Sequence, residues 1–440
     1  MNFMLEADGN GRMRFLYTEG ERIFEHKNRQ VYVYGTKGSF TAVEINRAAG
    51  RCRITQSTLG SSKTVYYLEH GSGYVVFTSL KLLPLIHFKR RFNPDREIVS
   101  EFLYNGFIRS RDTLVCGVSK LLPDERMEIE CGKLMIRASE RVRPDPRPVS
   151  PGEMYERESR IICGYIDQAV SGDGNVDIAL SGGYDSNLIL HFLKKRNVPV
   201  RAFSIGGRRG ADERETAAGL CGAGRNIRLL TGEVGPWIRN EYEKIVEILE
   251  GSMYERGIFL QYALAGLLKT HGVRSVLLGE GADQVFNRNF YDGREPSYLT
   301  NYNDNPYELG AMVVLKKSIL MLDAFGITGL YPFISRQMQK LGAQIMEENG
   351  TSKTRQKEMC REYFDSRTNR LVDKKPGSTS LCALFRDPSE EEAFIAGVQK
   401  SNEFYDPSFR ISYKYGPGES ELDYYLCLEY LRLFKKIFCD

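Results

Sequence analysis

The nine cysteines, at 52, 116, 131, 163, 221, 360, 382, 427 and 439, are odd in number and contain no CxxC pair. That excludes a zinc knuckle and a disulfide framework, and they read as reduced, mostly buried thiols of a cytoplasmic protein. Charge of one sign is also lacking. With 61 Lys plus Arg against 57 Asp plus Glu, the net charge is +4, no electrostatic footprint for nucleic acid or an anionic membrane. The basic run His87–Phe88–Lys89–Arg90–Arg91 reads as a solvated face. No apolar stretch approaches the roughly 20 residues of a membrane helix, and the first residues carry no signal-peptide profile. Internal repeats and low-complexity segments are missing as well. The expectation is a soluble protein of 440 residues in more than one domain.

What is present divides unevenly. Up to about residue 136 the chain is β-rich: RQVYVYG (29–35), TAVEI (41–45), CRITQ (52–56), TVYYL (64–68) and GYVVF (73–77) are short β-branched or aromatic runs between turn residues. Ile98–Asn105 predicts a helix, and Met127–Ile136 a hairpin about Cys131-Gly132-Lys133. Four prolines within Val142–Pro151 exclude a helix or inner strand, which places the linker there. The domains expected are 1–145 and 150–440.

Beyond the linker, Ser150, Pro151 and Glu153 form an S-x-x-E start with proline at the first helical position. Ile161, Ile162, Tyr165, Ile166 and Ala169 then give the helix one apolar face. Strands at 176–180, 198–205, 225–230 and 274–278 alternate with helices at 187–195, 212–220, 237–249 and 259–270. Such alternation predicts right-handed crossovers and a parallel sheet covered on both faces, an α/β fold. After Tyr307 the pattern is predominantly helical, with a polar interruption at Asp365–Ser380.

The stretch Ala179-Leu180-Ser181-Gly182-Gly183-Tyr184-Asp185-Ser186-Asn187 joins a strand to a helix. Two glycines let backbone approach a polyphosphate, and successive amides with the helix N-terminus make an anion cradle. Ser181 and Ser186 add hydroxyls. Asp185 suits such a place only with a cation between, as Mg²⁺ supplies. A bare Ser-Gly-Gly fits an ordinary βα turn equally well; the full stretch in its strand–helix setting favours the cradle.

SGGYDS resembles the pyrophosphate loop (PP-loop) of ATP pyrophosphatases, and the Walker pattern GxxxxGK[ST] does not occur. Leu277-Leu278-Gly279-Glu280-Gly281-Ala282-Asp283-Gln284-Val285-Phe286 is similar to the GEG(A/S)DE segment of asparagine synthetases, β-lactam synthetases and their relatives. Phe203–Gly206 with Asp212-Glu213, Gly326–Phe333 and the lysine loop Asp373–Ser378 resemble further segments of that family. Arg51–Leu83 and Val115–Pro123 resemble parts of its glutaminase domain. The fold implied is α/β: a doubly wound parallel-sheet PP-loop synthetase domain with a helical C-terminal part, after a smaller β-rich, degenerate glutaminase-like domain.

The resemblance implies that a carboxylate is activated on ATP as an acyl-adenylate and passed to an amine, with ATP and Mg²⁺ as cofactors. Asp185 and Asp283 match the Mg²⁺ carboxylates. Ser181, Gly182, Gly183, Asp185 and Ser186 match the pyrophosphate cradle, and Leu180, Ile205 and Gly279 the adenylate contacts. Lys375, with Lys374 as understudy, matches the lysine that neutralises charge on the α-phosphate, the alternative being a solvated loop. Glu280 matches the general base for the incoming amine, the alternative being a support for its loop.

Departures from the pattern select a subtype. Glutamine-using members expose Cys at a processed N-terminus, whereas this chain begins Met1-Asn2-Phe3 and lacks the R-G-P-D and N-G-E-I-Y-N segments that grip glutamine. Cys52 reads as a core residue. Thr328, Leu330 and Ser335 replace the Glu, Arg and Asp of the family segment. His191 reads as a packed or surface histidine, and Tyr254 as structural or lining an acceptor pocket. The expectation is an AMP-forming amide ligase without glutaminase activity, in peptide or natural-product tailoring. Its partners would be a small-molecule or peptide carboxylate with an amine acceptor, and a second copy or a biosynthetic partner protein. The alternatives are an ammonia-dependent asparagine synthetase and a non-catalytic nucleotide-binding scaffold.

Overall fold

The computed structural model describes residues 2–19, 21–26, 29–36, 39–56, 63–123, 125–138, 147–170, 174–207, 212–222, 226–286, 315–349, 361, 384–407 and 419–440. The first half folds into two antiparallel sheets. One, ordered β2-β1-β8-β7-β9, comprises β1 (Phe3–Ala7), β2 (Met13–Thr18), β7 (Tyr66–His70), β8 (Gly73–Phe77) and β9 (Ser119–Lys120). The other, ordered β11-β10-β6-β5-β4-β3, comprises β3 (Glu21–His26), β4 (Arg29–Thr36), β5 (Ser39–Asn46), β6 (Arg51–Gln56), β10 (Glu125–Glu130) and β11 (Lys133–Ala138).

Strand periodicity explains how the first sheet serves two cores. Phe3, Leu5 and Ala7 pack against the second sheet together with Val43, Ile54 and Ile129. Their alternates Met4, Val75 and Phe77 turn the other way, into a core that continues through the rest of the protein to Phe438. The β10–β11 turn places Cys131 and Gly132 at positive φ, 47° and 75°, as the hairpin expectation requires.

The second half contains a parallel sheet ordered β14-β13-β12-β15-β16. Its strands are β12 (Val176–Ala179), β13 (Val200–Gly207), β14 (Ile227–Val234), β15 (Ser275–Leu277) and β16 (Thr328–Leu330). β16 lies in the region expected to be helical; three residues are too few for a periodic signal, and pairing with β15 creates the strand. Helices α2 (Pro151–Ala169), α3 (Tyr184–Lys195), α4 (Glu213–Cys221), α5 (Tyr242–Leu249) and α6 (Gly257–Thr270) accompany these strands. Then come α7 (Ala282–Phe286), α8 (Lys316–Ala324), α9 (Arg336–Asn349), α10 (Pro388–Ser401) and α11 (Glu419–Phe438), with α1 (Arg96–Asn105) back in the first half. The fold is thus mixed α/β, with β-rich N-terminal sheets and a parallel sheet with helices behind them. At α2 the Ser150 hydroxyl accepts the Glu153 amide at 3.2 Å, and Ile162, Tyr165, Ile166 and Ala169 are buried. Of the linker expected at 142–151, residues 142–146 lie outside the described residues, as does the whole polar interruption at 365–380.

The halves meet over specific contacts. Glu250 accepts from the Ser79 hydroxyl and the Leu80 amide, both at 2.5 Å. Phe102 stacks on Tyr430 with centroids 5.5 Å apart. Gly106, at φ +76°, lies so close that a Cβ there would come within 2.1 Å of the Tyr254 carbonyl oxygen. Between the halves lies a cavity of about 40 Å³ lined by Gln56, Tyr66, Lys120, Glu250, Lys316 and Phe434 among others. Both lysines are buried. Burial pushes Lys120 down to about 8, and burial with the Lys120 charge pushes Lys316 down to about 7.

The cysteine expectation needs one correction. Among the described residues all seven cysteines are free, but only Cys52, Cys221 and Cys427 are buried, while Cys131 is exposed in its hairpin turn. Thiols tolerate partial exposure because their environments here are turns and helix faces and not one apolar core.

Candidate active site

The strand order fixes where a ligand can sit. From β12 the chain moves outward through β13 to β14, then returns to the opposite side of β12 for β15 and β16. The crevice between β12 and β15 is therefore the switch point, with the loops after both strands opening into it. The Ser181-Gly182-Gly183 turn follows β12, and the Gly279-Glu280-Gly281 turn follows β15. Both sequence motifs thus converge although about a hundred residues separate them. Gly279 is the contact: a Cβ there would lie 2.6 Å from the Ser186 amide nitrogen and 3.0 Å from the Asp185 carbonyl carbon. Only glycine permits that approach.

The turn after β12 is shaped as an anion cradle. Gly183, which has no side chain, caps α3, and the positive end of this twelve-residue helix faces the turn. Ser181 and Ser186 place their hydroxyls 3.1 Å apart. Ser181 Oγ accepts the Gly183 amide at 3.3 Å, and Ser186 donates to the Ser181 carbonyl at 3.0 Å. Leu180 is buried and continues the sheet through its amide, bonded to the Phe203 carbonyl at 2.8 Å. Ile205 lies buried on the neighbouring β13.

Asp185 stands in the first turn of α3, half-buried. Asp283 falls in α7, its side chain outside the described residues. A divalent cation fits this donor chemistry: a carboxylate in the cradle repels phosphate unless a hard cation joins them. Lys374 and Lys375 lie outside the described residues.

Glu280 is surrounded by groups that no short motif announces. Its Oε1 accepts from the Gln261 amide of α6. Nearby, Lys317 of α8 pairs with Glu255 at 2.6 Å, and the Gly257 amide donates to the other Glu255 oxygen at 3.0 Å. The Ser318 and Tyr331 hydroxyls are 3.0 Å apart. Burial raises the proton affinity of Glu280 above the ordinary carboxylate range; Lys317, Ser318 and Gln261 oppose this, and Glu255 reinforces it. Burial also acts on Glu255, but there the Lys317 charge prevails and holds the carboxyl below its usual value. One carboxylate is committed to an ion pair while its neighbour is kept basic.

Other expectations resolve simply. His191 Nε2 lies 3.0 Å from the Tyr155 hydroxyl, a packed histidine. Tyr254 is buried, donates to Asp423 at 3.4 Å and meets Tyr430 edge-on. Cys52 is buried in β6 and burial pushes its thiol far up. Sequence reasoning missed Glu255, Gln261, Lys317 and Ser318. One signal was present: Gln261 is the single amide within the otherwise apolar run of α6.

A turn shaped for an anion and a carboxylate of raised proton affinity thus meet at one switch point of an α/β sheet. Residues 165–371 match the family model described as asparagine synthase. That segment is accordingly similar to an asparagine-synthase domain, whose family of carbon–nitrogen ligases forms amide bonds using ATP. A search of curated proteins returned no match. No helix among the described residues is long and apolar enough to cross a membrane.

Proposed function

We propose that this protein is an AMP- and pyrophosphate-forming amide ligase that adenylates a carboxylate and transfers it to an amine without hydrolysing glutamine. The observation that carries this reading is the basic, half-buried Glu280 on the loop packed against the Asp185–Ser186 cradle. In the first step the substrate carboxylate attacks the α-phosphorus and pyrophosphate leaves, its charge met by the α3 amides with Ser181, Gly182, Gly183 and Ser186. Leu180, Ile205 and Gly279 border the adenylate. Asp185 and Asp283 would hold Mg²⁺, which when bound would supply charge neutralisation on the phosphates. In the second step an ammonium group loses a proton to Glu280, its nitrogen bonds to the acyl carbon, and AMP departs. A carboxylate of raised proton affinity is the stronger base for that transfer. Lys375, or Lys374, would balance the leaving charge.

The amine comes from the substrate, from a second molecule or from ammonia. Buried Cys52, with its thiol held protonated, gives no support for a glutamine-cleaving nucleophile in the first half. Loss of the family's acidic-substrate cues at Thr328, Leu330 and Ser335 favours peptide or natural-product tailoring over asparagine synthesis. The chain is read as a cytoplasmic enzyme with domains at 1–145 and 150–440.

The test is ATP–pyrophosphate exchange over a panel of carboxylates and peptides, followed by product analysis with ammonium, with glutamine and with neither. The expected result is AMP with pyrophosphate, an amide product, and no glutamate from glutamine. ADP with phosphate, or glutamate release, would overturn the reading.

A further inference from the structure

Two acceptor atoms beside Glu280 lack donors. Glu280 Oε2 and Gln261 Oε1 are both buried from solvent, and neither meets a donor in hydrogen-bond geometry among the described residues; the Ser318 hydroxyl, which acts on Glu280, lies 3.0 Å from the Tyr331 hydroxyl. The remaining atoms of these two groups are engaged with each other, since the Gln261 NH₂ donates to Glu280 Oε1. That bond also fixes the amide's orientation: turned over, its oxygen would face a carboxylate oxygen, acceptor against acceptor. A buried acceptor left without a donor is costly, so a pair of them side by side marks a place for a donor-rich ligand. Both residues retain some exposed surface, which leaves the place an entrance.

The charges select the donor. Glu255 and Lys317 neutralise each other at 2.6 Å, and Arg256 faces Asp423 at 3.6 Å. Glu280 is then the unbalanced charge of the group, negative, so a cation is favoured over a neutral donor. A guanidinium is bulkier and planar, whereas a primary ammonium offers three N–H groups for two oxygens.

We propose that Gln261 and Glu280 together form the seat of the amine nucleophile, with Gln261 Oε1 and Glu280 Oε2 each accepting one N–H of a primary ammonium. The proposal rests on the amide-ligase reading for its meaning, and it assigns to Gln261 a specificity role that the family motifs do not contain. Glu280 takes the proton it already accepts in hydrogen bonding; the freed lone pair stays aligned because Gln261 still holds a second N–H. A primary amine retains such an N–H after deprotonation. A tertiary amine has none left to give, and is excluded.

The experiment compares ammonium chloride with tetramethylammonium chloride at equal ionic strength, following the thermal midpoint of the full chain with Mg-ATP present. The wild type is expected to gain stability with ammonium and not with tetramethylammonium, and Gln261→Met, near in volume but without the acceptor, to need about tenfold more ammonium for the same gain. Should Gln261→Met fold poorly, Gln261→Asn, which withdraws the amide by one carbon, is read in its place. With a carboxylate identified by exchange, the same variants are expected to raise KM for the amine about tenfold, well beyond any change in ATP–pyrophosphate exchange, whereas a merely structural defect would impair the two alike. Equal responses of wild type and variants to ammonium, or identical responses to the two cations, would overturn the seat. An ammonium effect without exchange for any carboxylate would leave the seat standing and refute the ligase reading.

Discussion

Replacing Lys316 by methionine should make the protein more stable, and more so in acid. Lys316 is buried beside Lys120 at the cavity between the halves, and its folded-state value is about 7 against an ordinary 10.5. The difference corresponds to about 5 kcal/mol disfavouring the charged form, at about 1.4 kcal/mol for each tenfold change. The sign follows from proton counting. Between about 7 and 10.5 the unfolded chain binds the proton and the folded chain does not, so stability rises with pH; below 7 both hold it and the full penalty applies. Methionine keeps the stem's packing and removes the charge. Allowing for polar contacts that the substitution also removes, a gain of about 2–4 kcal/mol is expected at pH 6, shrinking by about 2–3 kcal/mol by pH 9. Urea unfolding of wild type and Lys316→Met at pH 6, 7.5 and 9 measures this. A variant less stable at every pH, or a gap that does not change with pH, would refute the reasoning.

Glu280→Gln should lower amide formation by about 10²–10⁴-fold while sparing pyrophosphate exchange. In the wild type the rate of acyl transfer should rise with pH through a group titrating above the ordinary carboxylate value, because the ionised form is the base; a profile flat across the acid range would count against it. Gly279→Ala forces a Cβ to within 2.6 Å of the Ser186 amide nitrogen; Mg-ATP binding should weaken at least tenfold, with about 1–3 kcal/mol of stability lost to overpacking, and unchanged nucleotide affinity would argue against apposed loops. Gly106→Ala adds a strained positive φ and a clash with the Tyr254 carbonyl; it should cost at least about 1–3 kcal/mol, seen as a lower unfolding midpoint with exchange kinetics little altered in the folded fraction.

Much of the fold is legible locally. Alternating runs located β4 to β8, the Ser150 cap located α2, and the strand–helix alternation predicted β12 to β15 with α3 to α6, because each is set by side chains within a few positions. What escaped was short or owed its form to a distant partner. β16 is three residues held by β15. β1 to β3 were not singled out, and β1 is held on both sides, by β2 and by β8 some seventy residues away.

The site divides in the same way. The two glycine-rich turns, Asp185 and Glu280 belong to contiguous motifs, so the sequence alone sufficed to single them out and to indicate a family. That they share one crevice is a consequence of strand order, with β15 returning to the free side of β12, and only the tertiary structure decided it. The same is true of the company Glu280 keeps. Glu255 and Gln261 come from the segment before β15, and Lys317 from α8 beyond it. Whether a carboxylate is basic or committed to an ion pair depends on burial and nearby charge, which chain neighbours do not report. Lys120 and Lys316 make the case most plainly: polar residues along the chain, they become strained only when folding closes one cavity around both.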